Sequence, residues 1–271
     1  MKIAIIGGGG KMGQWLGRHL SGEGFDIIIA DKDSEKLKEI RGLKGVEVTE
    51  NNLEAAGKSN VIIVSVPIKN FEQVIKEIAP AVRAEQVIMD VTSVKAAPVK
   101  AMHDHLKTGL ILGAHPLFGP GVSGIRGQNF VLTPTDDKEK AFAGKAEKYL
   151  KERGASVTCM EPQAHDRMMA VVQGLSHFVA IAAADALSGL GRLDDMKDVA
   201  TTTFGIFLNY IESVVGEDPA LYAAIQMEHP EMADIYKTLT RSVERWADVV
   251  KRKDTRGFVE RMTELKAYIG K

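Results

Sequence analysis

Over the first 160 residues, short apolar runs rich in Val and Ile alternate with stretches whose apolar positions recur at helical spacing. The runs Lys2–Ile6, Phe25–Ala30, Val61–Val66, Gln86–Val91, Leu110–Ala114, Asn129–Leu132 and Ala155–Met160 have the pattern of strands covered on both faces. Between them Lys11–Leu20, Asn70–Ile78 and Lys138–Lys151 read as amphipathic helices. Repeated strand–helix alternation predicts an α/β fold, a doubly wound parallel sheet of the Rossmann type.

After Met160 the pattern changes. Helical periodicity runs from Gln163 to the end without another convincing strand. Met168–Leu187 is apolar nearly all round and predicts a helix buried on several sides. Pro230–Arg252 and Thr255–Ile269 read as amphipathic helices with solvated faces. Glu217-Asp218-Pro219 predicts a helix boundary, because Pro disfavours helical geometry in the residue before it. The expected organisation is therefore a Rossmann domain over residues 1–160 and an all-α domain over 161–271, with no internal repeat.

Composition narrows the functional class. The 271 residues are 45% hydrophobic and 26% charged, as in an ordinary globular protein. Lys+Arg total 35 against Asp+Glu 36, a formal net charge of −1, so nucleic acid held by phosphate neutralisation is not an expected partner. The single cysteine, Cys159, excludes an intramolecular disulfide and suits a reducing cytoplasm. No apolar run is expected to reach the ~18–20 residues of a membrane span. The N-terminal apolar stretch before the glycines is too short for a signal peptide.

Gly8, Gly10 and Gly13 form G-x-G-x-x-G directly after the first predicted strand and at the start of a helix. The first glycine permits a tight turn, the second lets backbone approach a pyrophosphate, and the third lets helix and strand pack closely. Lys11 and Met12 lie inside this motif and join the expected cofactor site. Asp31 ends the second strand, where a carboxylate accepts hydrogen bonds from ribose hydroxyls and repels a 2′-phosphate. That favours NAD, although Asp31 also suits a plain turn in ADKDS, and nearby Lys32 and Lys36 leave NADP open. Ser65, Val66 and Pro67 end another strand and belong to the expected cofactor crevice, or to an ordinary Pro turn.

Two segments bring candidate chemistry to the same edge. Asp90-Val-Thr-Ser-Val-Lys95 contains Thr92 and Ser93, either of which can simply cap the next helix. In Gly113-Ala-His-Pro-Leu-Phe-Gly-Pro120, His115 stands at a strand end, where an imidazole beside a nicotinamide takes a proton from a carbinol. Further on, Asp166, Gln173 and His177 fall at i, i+7 and i+11, one stripe of an apolar helix. They are either a structural network or a substrate wall, and His165 caps or precedes that helix. His103 and His105 read as surface residues, and no metal site is expected.

GGGGKMGQWL, VIIVSVPI, DVTSVK, GAHPLFGP and AHDRMMAVVQGLSHF resemble, in order and spacing, the prephenate dehydrogenase family. They are most similar to the dehydrogenase part of the bifunctional chorismate mutase–prephenate dehydrogenase. The resemblance covers essentially the whole chain and includes no mutase portion. It implies NAD(P)-dependent oxidative decarboxylation of prephenate to 4-hydroxyphenylpyruvate in tyrosine biosynthesis, by a homodimer joined through the helical domain. It also implies that His115 is the catalytic histidine at the ring hydroxyl, that Ser93 hydrogen-bonds to both, and that His177 lines the active site. The family's carboxylate-gripping arginine, five residues before a D-P dipeptide, is replaced here by Ser213. Arg167, Arg241 and Arg245 are the candidate substitutes, with Gln173 a further substrate contact. That loss keeps open arogenate or another cyclohexadienyl acid as substrate, and a non-catalytic NAD-binding regulator as a third reading.

Overall fold

A computed structural model describes residues 1–270, and the chain divides into two compact units, Met1–Met169 and Ala170–Lys271. The first unit contains eight strands: β1 (Lys2–Ile6), β2 (Asp26–Ala30), β3 (Val46–Thr49), β4 (Val61–Val64), β5 (Val87–Asp90), β6 (Leu110–Pro116), β7 (Asn129–Thr133) and β8 (Ser156–Cys159). Its helices are α1 (Lys11–Gly22), α2 (Ser34–Lys38), α3 (Asn52–Lys58), α4 (Ile68–Ile78), α5 (Ala96–His105), α6 (Asp137–Glu152) and α7 (Pro162–Met169), with a 3₁₀ turn at Ala79–Ala81.

The strands form one sheet in the order β3-β2-β1-β4-β5-β6-β7-β8. Side chains alternate across it: Ala4 and Ile6 of β1 pack on one face with Phe71, Ile75 and Ile78 of α4. Ile3 and Ile5 pack on the other with Trp15 and Leu16 of α1. Each buried Ile, Leu or Phe among these stabilises the fold by about 1.5–3 kcal/mol.

Three features differ from the sequence expectation. β3 was not predicted, because VEVT is a four-residue edge strand with an exposed Glu47 and no continuous apolar run. The sheet is not wholly parallel, since β7 runs antiparallel to β6 and β8 then pairs parallel to β7. Parallel return needs a crossover, normally a helix; residues 117–128 contain none, so the chain turns straight back. Finally, β6 extends through His115 and Pro116 rather than stopping at Ala114. Beyond Gly113 it is β7 that holds it, with His115 opposite Val131 and Pro116 opposite Phe130.

The second unit begins with a π-helical stretch, Ala170–Leu175. It continues through α8 (Ser176–Leu190), α9 (Leu193–Asp198), α10 (Thr202–Val215), α11 (Pro219–Glu228), α12 (Met232–Lys251) and α13 (Thr255–Ile269). Wide turns free backbone carbonyls, and side chains take them up: Ser176 Oγ donates to Val172 O at 2.7 Å, and Gln226 Nε2 to Gly174 O at 3.1 Å. Asp218 caps α11 by accepting from Ala220 N, with Pro219 at the first helical position, as the boundary signal predicted.

Two expectations about the apolar helix are corrected. Taken as one helical span, Pro162–Leu190 is long and apolar enough to cross a membrane, with mean hydropathy 1.5 in its best window. Only 17% of that window is buried, so the helix is not enclosed on several sides within one chain. Met168, Val171 and Val172 are exposed. A helix apolar all round needs more cover than the elements of this chain supply.

Candidate functional site

The site follows from register. Ile6, Val64, Asp90 and Gly113 lie side by side across β1, β4, β5 and β6, which all point the same way. The segments that follow them therefore emerge along one edge: the glycine turn, Ser65-Val66-Pro67, Val91–Lys95, and the end of β6 with His115. Strand order reverses between β1 and β4, the switch point where open α/β sheets bind ligands.

At this switch point the glycines are sterically required. A Cβ on Gly13 would stand 2.5 Å from Gly8 Cα, and one on Gly8 would stand 2.6 Å from Ile29 Cγ2. Gly7, at φ +75°, is pressed against Ser65 and Val66, whose backbone is tied back by Ser65 N donating to Ile6 O at 2.8 Å. Gly10 differs: a Cβ there would meet only Gly7 O at 3.5 Å, so its side is open. The first turn of α1, from Lys11 and Met12 to Gly13, holds no acidic residue, and its N–H groups have no partner inside the helix. An open glycine at a helix N-terminus fits a pyrophosphate.

Asp31 follows β2 with its carboxylate turned to the glycine turn, accepting from Gly9 N and Asp33 N, each at 3.0 Å. It thus braces the turn as well as facing the place a ribose would take. Lys32 pairs with Glu77 at 2.9 Å and Lys36 with Asp33 at 3.5 Å, so each already faces a carboxylate. Pro67 stands at the N-terminus of α4.

Below the ends of β5 and β6 lies a buried polar cluster. Asp90 and Lys95 are both 0% exposed and form an ion pair, Lys95 Nζ also donating to Ala114 O at 2.6 Å. Thr92 secures the same carboxylate, giving Asp90 Oδ1 its N–H at 3.0 Å and its hydroxyl at 2.7 Å. Burial pushes the Lys95 ammonium down, against the pull of Asp90 and Asp166. Ser93 is half-buried in this loop, between Thr92 and Val94.

His115, 3% exposed, meets a second histidine: its Nδ1 is 2.9 Å from His165 Nε2, and the rings stand edge to face. His165 Nδ1 in turn lies 2.8 Å from Asp166 Oδ1. Asp166 is held by the start of α5, Oδ1 accepting from Lys95 N at 2.7 Å and Oδ2 from Ala96 N at 2.9 Å. Burial alone would raise the Asp166 carboxyl, but the His165 and backbone hydrogen bonds outweigh it and hold it below its ordinary value. Burial, then the nearby Lys95 and His165, holds the His115 imidazole well below the ordinary histidine range. A neutral buried imidazole at the sheet's binding edge is equipped to act as a base.

The i, i+7, i+11 stripe does not survive. The π-helical turns of Ala170–Leu175 break the assumed spacing, and the Asp166 carboxylate is taken up by α5 and His165. For Asp166 this decides for a structural network. Gln173 is half-buried in the π-helical stretch, its carbonyl accepting from Ser176 Oγ at 3.1 Å. His177 stacks edge-on against Tyr222 at 4.6 Å, its Nδ1 is buried without a partner among the described residues, and burial lowers its pKa. Arg241 is exposed on α12. Ser213 is exposed on α10, its hydroxyl turned back onto Tyr210 O at 2.7 Å. His103 and His105 project from α5 to Glu139 and Glu72, at 3.1 and 3.0 Å.

Sequence reasoning missed the Asp90–Lys95 pair. The available signal was an acid ending an Ile-Met strand and a lysine set between Val94 and Ala96, a cation in an apolar context that demands a buried partner.

Fold and site together define a nucleotide-binding α/β protein with a buried histidine beside its binding edge. The prephenate dehydrogenase nucleotide-binding domain matches residues 16–159, and the prephenate dehydrogenase dimerization domain matches residues 161–264. The chain belongs to the prephenate dehydrogenase family. A probable arogenate/prephenate dehydrogenase of Methanocaldococcus jannaschii is 38% identical over 273 residues, 100% of this chain and 61% of that protein. The T-protein of Haemophilus influenzae is 27% identical, across 99% of this chain and 67% of its own length. This chain thus spans about two thirds of these relatives. Among solved structures, prephenate dehydrogenase from A. aeolicus, in complex with hydroxyphenyl propionate and NAD+, superposes with TM-score 0.80 at 22% identity, covering 99% of this chain and 96% of that one. Synechocystis arogenate dehydrogenase superposes with TM-score 0.73 at 18% identity, covering 98% of each chain. At these identities the likeness is one of fold.

Proposed function

We propose that the chain oxidatively decarboxylates prephenate to 4-hydroxyphenylpyruvate with NAD, in tyrosine biosynthesis. The observation that carries this is His115, a buried imidazole held neutral at the carboxyl end of β6, on the same sheet edge as the glycine turn. Gly8, Gly10, Lys11, Met12 and Gly13 would hold the pyrophosphate, with Ser65, Val66 and Pro67 walling the crevice. Asp31 would take the ribose hydroxyls. Ion pairing of Lys32 and Lys36 with Glu77 and Asp33 favours NAD over NADP.

When bound, NAD supplies the hydride acceptor. His115 takes the proton of the substrate's ring hydroxyl, assisted by Ser93 as its hydrogen-bond partner, while the carbon bearing that hydroxyl is oxidised. Loss of the ring carboxylate as CO2 makes the ring aromatic, so the protein has mainly to orient the ring and absorb the proton. His177 and Gln173 would line the substrate side. Arg241 would supply the cation that Ser213 does not.

A second reading, arogenate as substrate, is favoured by Ser213 and by the relation to an arogenate/prephenate dehydrogenase. Residues 1–160 would bind cofactor, and 161–271 would bind substrate and pair two copies. The exposed apolar side chains of Met168, Val171 and Val172 and the dimerization-domain match support that pairing. One exposed free cysteine, Cys159, is compatible with a reducing cytoplasm. Steady-state turnover of prephenate and arogenate, each with NAD and NADP, tests the proposal. Prephenate with NAD is expected to give the highest kcat/KM; no turnover of prephenate would refute it, and cofactor binding without turnover of either acid would leave a regulator.

A further inference from the structure

We propose that His165 and Asp166 are positioning residues that set the tautomer of His115, placing its proton on Nδ1 and its basic lone pair on Nε2. Hydrogen-bond polarity along the buried chain sets this tautomer. An ionised carboxylate only accepts. Asp166 accepts from the backbone N–H groups of Lys95 and Ala96, so its oxygens are oriented before any histidine is considered. The nitrogen 2.8 Å from Asp166 Oδ1 is His165 Nδ1, which must therefore carry the proton. With that one proton on its fully buried ring, His165 presents Nε2 as an acceptor, and the atom 2.9 Å away is His115 Nδ1, which must donate. The basic nitrogen of His115 is then Nε2.

The same chain suits the product of proton uptake. When Nε2 gains a proton, His115 keeps its Nδ1–H on His165 Nε2, and the Asp166 carboxylate behind His165 stabilises the charge. Lys95, paired with Asp90 on the other side, opposes it. Lys95 and His165 act on His115 directly, and Asp90 and Asp166 act through them. The backbone anchor explains why an acid is needed at position 166: an amide has one accepting oxygen, so it can serve either Lys95 N with His165 Nδ1 or Ala96 N, but not all three donors.

The inference rests on the reading of His115 as the base, but its decisive measurement does not use turnover. Imidazole 15N shifts of the histidine-labelled full chain, assigned by loss of the signal in His115→Asn, are expected to show Nδ1 protonated and Nε2 bare in the wild type. Asp166→Asn, which removes the carboxylate charge and one acceptor, is expected to reduce the Nδ1–H share of His115 and lower kcat by about 10²–10⁴-fold, with NAD affinity little changed. His165→Gln, which touches no α5 backbone, covers the case in which Asp166→Asn fails to fold; it is expected to lower kcat with KM nearly constant. Asp166→Glu should restore part of the loss. Wild-type His115 protonated on Nε2, or kcat within about threefold of wild type in folded His165→Gln, overturns the proposal. Inactivity of the wild type on every cyclohexadienyl acid, with the Nδ1–H tautomer intact, would instead refute the functional reading and leave the tautomer assignment standing.

Discussion

Lys95→Met isolates the buried ion pair beneath the candidate site. The substitution keeps chain length and apolar volume but removes the ammonium that donates to Asp90 and to Ala114 O. Asp90 keeps only the two bonds from Thr92, and its Oδ2 has no hydrogen-bond partner among the described residues. Removing one member of a buried pair costs about 3–5 kcal/mol, because the other charge remains uncompensated. Loss of the Nζ donor to Ala114 O is part of that cost. At ~2–4 °C per kcal/mol for a unit of this size, Tm is expected to fall by about 6–20 °C. Urea denaturation followed by circular dichroism, with calorimetry beside it, measures both quantities. The double variant Lys95→Met/Asp90→Leu should be more stable than Lys95→Met alone, since it removes the stranded carboxylate. A loss below about 1 kcal/mol in Lys95→Met, or a double variant destabilised by the sum of the two singles, would refute the assignment of a working charge pair. In surviving enzyme the acid limb of the kcat/KM profile should move up in pH, because Lys95 no longer opposes a charge on His115. Burial, the larger cause, keeps it below the ordinary histidine value.

Other expectations follow from the same geometry. His115→Asn should lower kcat by about 10²–10⁴-fold while NAD titration stays close to wild type; undiminished turnover would make His115 structural. Gly13→Ala forces a methyl to within 2.5 Å of Gly8 Cα, backbone that cannot rotate away, and should cost about 1–3 kcal/mol and weaken NAD binding, read by denaturation and fluorescence titration. Stability should fall on acidification, because the folded state holds the His115 and His177 pKa values down. Above ~6.5 both states are neutral and nothing changes; below it the unfolded chain takes up the protons first, at up to ~1.4 kcal/mol per pH unit per histidine, until the folded pKa is reached. A pH series of denaturation midpoints, compared with His115→Asn, reads this slope. Arg241→Ala should raise KM for prephenate and leave KM for NAD unchanged in steady-state assays; an unaltered prephenate KM would remove Arg241 from the substrate site.

The sequence by itself determined the sheet, the glycine turn and the histidine at its edge. These are consequences of local patterns: Val/Ile runs of strand length, three glycines at fixed offsets, and a His-Pro pair at a strand end. It failed where tertiary balance rules. VEVT becomes a strand because β2 offers a free edge, and β7 runs backwards because residues 117–128 supply no crossover. The apolar helix looked like core, but apolarity records a need for cover without stating where the cover comes from. Asp166 and His177 were joined by a helical period that π turns interrupt. Only the tertiary structure decided that Asp166 serves α5 and His165, and that Asp90 and Lys95 meet under His115. Hydrogen-bond partners separated by 50 to 71 residues leave no periodic trace in a sequence, because they are chosen by where strands end in space.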